Sequence, residues 1–112
     1  MTETIPNAAL DHFDLGAREY VDGHNDKALD YFDRAISGFA DYDDAHYLRG
    51  LTLLRLGRQD EAIAALERAA AVTSNIMLRG YARTKIAEFA ATSEVDGGAV
   101  SPMPPSQADT PS

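Results

Sequence analysis

Three histidines, His12, His24 and His46, and eighteen acidic side chains are the groups in this 112-residue chain that could hold a metal or carry a proton. A histidine metal site asks for a second ligand on the same helical face, as in His-Glu-x-x-His, and none of the three is so placed. His12 and His46 instead stand 34 residues apart, a relation that belongs to a repeating structure rather than to a ligand set. The run Asp41-Tyr42-Asp43-Asp44 has carboxylates enough for calcium but lacks the alternating loop and closing glutamate of such a site. Its acids are better explained as favourable charges at the start of a helix. There is no cysteine, hence no disulfide, no thiolate zinc site and no thiol nucleophile. No glycine-rich phosphate loop and no nucleophile elbow is present. The sequence therefore predicts no catalytic residue, no cofactor and no metal: the chain reads as a non-enzyme.

The elements that carry these residues follow from composition and spacing. A hydrophobic fraction of 45% with 25% charged residues suits one globular domain. The formal net charge of -8 argues against nucleic acid and against insertion into or adhesion to anionic membranes. No stretch approaches 18 uncharged apolar residues, and Met1 to Pro6 lacks the basic and apolar regions of a secretory signal; a cytoplasmic location is the expectation. Residues 8–91 contain no proline and place apolar residues three and four apart, the period of amphipathic helices. Gly23 and Gly57 interrupt this pattern, each followed by polar residues, so that a glycine ends one helix and Asn25 or Asp26, and Gln59 or Asp60, opens the next. Helices are expected over roughly 8–22, 26–40, 44–56, 60–72 and 75–91, joined by short loops that make neighbours antiparallel. Residues 1–7 form a leader. From Thr92 onward four of the five prolines gather with Ser, Thr and Gly, which predicts a disordered tail over 92–112.

Shifting the chain by 34 residues aligns His12 with His46, Gly16 with Gly50, Gly23 with Gly57, Asp26 with Asp60, Ala28 with Ala62, Arg34 with Arg68 and Ala35 with Ala69. Phe13 with Tyr47, Leu29 with Ile63 and Phe32 with Leu66 are similar pairs. Small residues at Gly16, Gly50, Ala28 and Ala62 let two helices of a hairpin approach closely, and Phe32 and Leu66 fill the seam to the next unit. A period of this length marks a solenoid. The chain resembles the tetratricopeptide-repeat family on these positions: His12, Leu15-Gly16, Glu19, Ala28, Phe32 and Ala40 in a repeat over 9–42, and His46, Arg49-Gly50, Leu53, Ala62, Leu66 and Ser74 in a repeat over 43–76. His12 and His46 stand where the family has a large aromatic, and Ala40 and Ser74 where it has a closing proline. Residues 75–91 look like a helix that caps the last repeat.

The resemblance implies an all-α, short right-handed α-solenoid of antiparallel hairpins, with the first helix of each repeat lining a concave face. That face corresponds to Leu10, Phe13, Ala17, Tyr20 and Val21, then Asp44, Tyr47, Leu51, Leu54 and Arg55, then Leu78, Tyr81 and Lys85. One repeat position is aromatic three times over, Phe13, Tyr47 and Tyr81, a ladder suited to an extended peptide or a partner helix. The same rings could instead pack between helices or inside a homodimer, and the sequence leaves both readings open. Where some family members grip a terminal carboxylate with Lys, Asn and Arg, this chain has Phe13, Ala17, Leu48, Leu78 and Ala82, so that clamp is absent. The expected role is a protein-interaction module, an adaptor, assembly factor or scaffold. The alternative is a structural protein whose concave or terminal faces bind other copies of itself. Residues 1–44 carry eleven acids and three bases, and 45–93 four acids and seven bases; this asymmetry would steer a partner or another copy.

Overall fold

The computed structural model describes residues 4–98, with side chains over 4–90. Five helices follow one another: α1 Asn7–Val21, α2 Asn25–Gly38, α3 Asp43–Arg55, α4 Gln59–Val72 and α5 Ile76–Gly98. No strand occurs among the described residues. Each helix packs on the next along the chain, which gives a short all-α solenoid of antiparallel hairpins. The α1 backbone also comes close to α3, and α3 to α5, whereas the α2 and α4 backbones stand further apart, with Leu29 reaching the cluster of Leu53, Ala62 and Ala65. Helices that converge on one side and part on the other curve the stack, and α1, α3 and α5 line its inner side.

The two glycine turns are built alike. Gly23 and Gly57 adopt φ of +83° and +78°, the left-handed region that glycine enters without a Cβ penalty. Around the first, His24 N–H donates to Glu19 O at 2.8 Å and Gly23 N–H to Tyr20 O at 3.1 Å; around the second, Arg58 N–H donates to Leu53 O at 2.9 Å and Gly57 N–H to Leu54 O at 3.1 Å. This paired closure satisfies carbonyls that the helix end would otherwise leave open. Asn25 and Gln59 open α2 and α4, as the sequence leads one to expect, and the cap residues ahead of them, His24 and Arg58, make no side-chain cap bond. The glycine turn needs only one residue after it to re-enter the helix, so Asn25 and Gln59 are already helical.

The hairpin seams repeat as well. A Cβ on Gly16 would lie 2.7 Å from Phe32 Cε1, and one on Gly50 would lie 2.8 Å from Leu66 Cγ. Phe32 and Leu66 are fully buried, each worth about 1.5–3 kcal/mol of transfer free energy. The missing side chain at each glycine is therefore the space its partner occupies. Between the hairpins, Ala9, Ala35, Tyr42 and Ala45 form one buried cluster against which Ile5 and Phe13 pack. Leu66, Ala70 and Ala82 form another, joining α4 to α5 with Tyr47, Leu51, Leu54 and Ile86 against it.

α5 is described as far as Gly98, beyond the Ala91 expected from the sequence. No proline lies between Ala91 and Gly98, so nothing in the backbone forces a stop there. The expectation of a disordered tail falls for the most part, over 99–112, outside the described residues.

Candidate functional site

The inner side of the solenoid carries an open groove of about 420 Å³ between the starts of α3 and α5, and it reaches α1. Phe13, Tyr47 and Tyr81 line it together. These three share one repeat position, and the helical register brings them into line because α1, α3 and α5 are stacked by the same step. Leu48 and Leu78 form its floor with them, and Met77 stands at its edge, 64% exposed. Asp44 and Asn75 supply polar atoms. The Asn75 Oδ1 accepts from the Met77 and Leu78 amides at 2.9 and 3.3 Å, capping α5.

The aromatic ladder is graded rather than uniform. Phe13 lies 5.0 Å from the Tyr42 ring and 5.8 Å from Phe32, so one face of it belongs to the core. Tyr47 is half-buried and packs on the cluster around Leu66. Tyr81 is 51% exposed. The grading has a local cause at Tyr42 and Ile76, which occupy equivalent places 34 residues apart. Tyr42 is buried with its ring against Phe13, whereas Ile76 is 79% exposed and is not part of the groove lining.

Burial and neighbouring carboxylates set the electrostatics. Burial, then Asp44, Asp14 and Asp43, push the Tyr42 phenol up to about 12. Asp44 is itself raised above the ordinary carboxylate value by burial and by Asp43. Tyr47 is raised by burial, with Lys85 opposing and Tyr20 and Tyr81 adding to the rise. The acidic end of the groove is therefore at the start of α3, and Lys85 lies towards the other end, its Nζ 3.5 Å from Glu88 Oε1.

Five of the thirteen residues assigned to the concave face from sequence, Phe13, Asp44, Tyr47, Leu78 and Tyr81, come together in this groove. Leu51 and Leu54 are turned into the cluster between α3, α4 and α5. Ala17 lines a separate hollow of about 350 Å³ with Arg18, Val21 and Asp22, and Leu10 is an exposed residue of α1. Tyr20 and Arg55 are spent on each other. The Arg55 guanidinium lies 3.5 Å over the Tyr20 ring, and its Nη1 donates to Tyr20 O at 2.7 Å and Asn25 Oδ1 at 3.3 Å. Sequence reasoning missed Asn75, just ahead of α5, and Met77 in its first turn, neither of which stands at a repeat position assigned to the inner face. The one signal was Asn75 itself, a good cap residue ahead of an apolar helix.

His46 does other work. It is buried, and its Nε2–H donates to the Ala40 carbonyl at 2.7 Å. Burial lowers its pKa, against a smaller upward pull from that bond, so the ring is neutral. His12, its counterpart, stacks on Tyr31 at 6.4 Å. Among the described residues, no group of three or more His, Cys, Asp or Glu is arranged to hold a metal, and no helix is long and apolar enough to cross a membrane.

A comparison with protein families matches residues 13–75 to the family described as Tetratricopeptide repeat. That is more than half of the chain. The chain belongs to the tetratricopeptide-repeat family. The matched span runs from the ring of Phe13 to the cap of α5 at Asn75, and includes both glycine turns and both glycine seams. No curated protein matches the chain.

Proposed function

We propose that this tetratricopeptide-repeat protein is a non-catalytic interaction module, an adaptor, assembly factor or scaffold. It takes an apolar segment of another protein, as a peptide or a helix, in the groove of its inner face. The observation that carries this reading is the convergence of Phe13, Tyr47 and Tyr81 on one open groove. Apolar walls with a few polar groups are what binding clefts of this size share. Tyrosine adds contact area at low entropic cost while its hydroxyl remains usable at a wet rim.

The unit we propose has a leader over 1–7, repeats over 9–42 and 43–76, and α5 as a cap starting at residue 75 and prolonged past 91, with 92–112 outside the repeat architecture. Support for the cap comes from Thr84, which stands where Gly16 and Gly50 stand in α1 and α3. A Cβ at either glycine would lie under 3 Å from the following helix, so Thr84 does not admit a further helix at the same distance. Gly80, Thr84 and Ala87 are all exposed on α5. In place of a following helix, the Arg79 guanidinium returns to α4 and donates to the Ala70 and Thr73 carbonyls at 3.1 and 2.5 Å. Net charge of -8 supports a protein rather than a nucleic acid as partner.

The test is parallel affinity capture with the full chain and with Tyr81→Ala, with helical circular dichroism recorded for both. Proteins retained by the first and lost by the second, at equal helix content, support the groove. Identical captures, or loss of helix content in the variant, refute it.

A further inference from the structure

We infer that the segment the groove takes is cationic, with one large apolar side chain among the aromatic walls and a Lys or Arg within a helical turn of it, set against Asp44. The inference rests on the groove reading above and specifies the chemistry of its ligand.

Among the described residues, the lining of the groove holds one carboxylate, Asp44, and no cation. Asp44 makes no ion pair among those residues, and its neighbour Asp43 is turned aside to accept from Thr73 Oγ1 at 2.5 Å and from the Asp44 amide at 2.8 Å. The Asp44 carboxylate thus stands at the groove wall with its charge uncompensated by any ion pair among the described residues. A cation brought there by a ligand would find a partner of opposite charge beside the apolar walls, an attraction that salt weakens. Asp14 and Asp43 add to the same field, both close enough to act on Tyr42 beside Phe13.

The features that would draw an anion are already occupied. The first-turn amides of α5 at Met77 and Leu78 are taken by Asn75. Arg55 is held by Tyr20 and Asn25, Arg79 by the end of α4, and Lys85 by Glu88. A ligand carboxylate near Asp44 would face repulsion with no cation in the groove lining to offset it. Residues 1–44 carry eleven acids against three bases, so the approach to that end of the groove is also through a negative field.

The test is selection from a phage-displayed library of random dodecapeptides on the full chain, run in parallel on Tyr81→Ala and on Asp44→Lys. Selected peptides are then measured by fluorescence polarisation at low and high salt. The expected pool carries Leu, Ile, Phe or Met with Lys or Arg within four positions. Its members lose about tenfold in affinity on Asp44→Lys and bind more weakly at high salt. Peptides rich in Asp or Glu, or a pool indifferent to Asp44→Lys yet lost on Tyr81→Ala, overturn the charge preference and leave the groove reading standing. A pool that binds Tyr81→Ala equally, or no enrichment at all, overturns both. Concentration-dependent dimerisation of the unliganded chain that Tyr81→Ala abolishes overturns the inference by showing that a second copy fills the groove.

Discussion

The imidazole of His46 donates from Nε2 to the carbonyl of Ala40 at 2.7 Å, tying the first turn of α3 to the loop that precedes it. Both residues depart from the family pattern, His46 from the large aromatic and Ala40 from the closing proline. The bond fixes the turn that a proline ring would otherwise stiffen, so the two departures compensate each other.

Burial of His46 predicts a pH dependence. The folded pKa of His46 is lowered, chiefly by burial, below its ordinary value near 6.5. Between the lowered value and about 6.5 the unfolded chain binds more protons than the folded one, so stability rises with pH across that window. The contribution is complete above about pH 6.5 and is lost as pH falls below it. Thermal melts of the parent chain and of His46→Gln, which keeps a donor but does not titrate, should diverge in slope below pH 6.5. Parallel pH profiles would refute the assignment.

Gly50→Ala should destabilise the fold by about 1–3 kcal/mol, as expected for overpacking, although alanine is the better helix former by about 1 kcal/mol. The new methyl would lie 2.8 Å from Leu66 Cγ and 3.3 Å from the Ala62 carbonyl. Gly16→Ala should behave alike against Phe32, whereas Gly80→Ala, with nothing within 4 Å, should stabilise. Urea melts of the three variants would show whether the ranking holds.

Leu66→Ala should cost about 2–5 kcal/mol, because Leu66 is fully buried and serves both the seam with Gly50 and the joint with α5. Tyr81→Ala, by contrast, should leave stability within about 0.5 kcal/mol, as for ordinary surface changes, while weakening ligand capture. Denaturant midpoints read against binding separate the two roles. A collapse of Tyr81→Ala would mark that ring as core.

Arg55→Ala should destabilise by about 0.5–1 kcal/mol, the range for an exposed cation–π contact. The guanidinium over Tyr20 is also a strap between the end of α1 and α3, through the Tyr20 carbonyl. Arg55→Lys should not rescue it, because an ammonium cannot stack flat on the ring while donating sideways.

Sedimentation at low and high salt should return the mass of a single chain at every concentration. A mass that grows with concentration and falls with salt would favour the self-assembly alternative. It would locate that contact in the opposed acidic and basic halves of the sequence.

The helices, the 34-residue step and the glycine seams were legible because each is written into residue type at a fixed spacing. Gly16 and Gly50 are informative for what they lack, and Phe32 and Leu66 for filling it. The groove was legible only along its repeat register, which delivered Phe13, Asp44, Tyr47, Leu78 and Tyr81. Arg55 and Tyr20 also have the right register, yet they pair with each other, because a flexible cation next to a ring finds it before any ligand does. Asn75 and Met77 were not found because they lie just ahead of α5 and in its first turn, off the repeat positions that mark the inner face.

Tyr42 and Ile76 hold one repeat position, just ahead of α3 and at the first residue of α5, and only Tyr42 is folded down onto a neighbouring ring. Closure at this position is therefore decided at the threshold of a helix, apart from the seams that hold the hairpins together. A sequence can switch a step between vacant and self-sealed by changing one side chain, without rebuilding the scaffold that holds it.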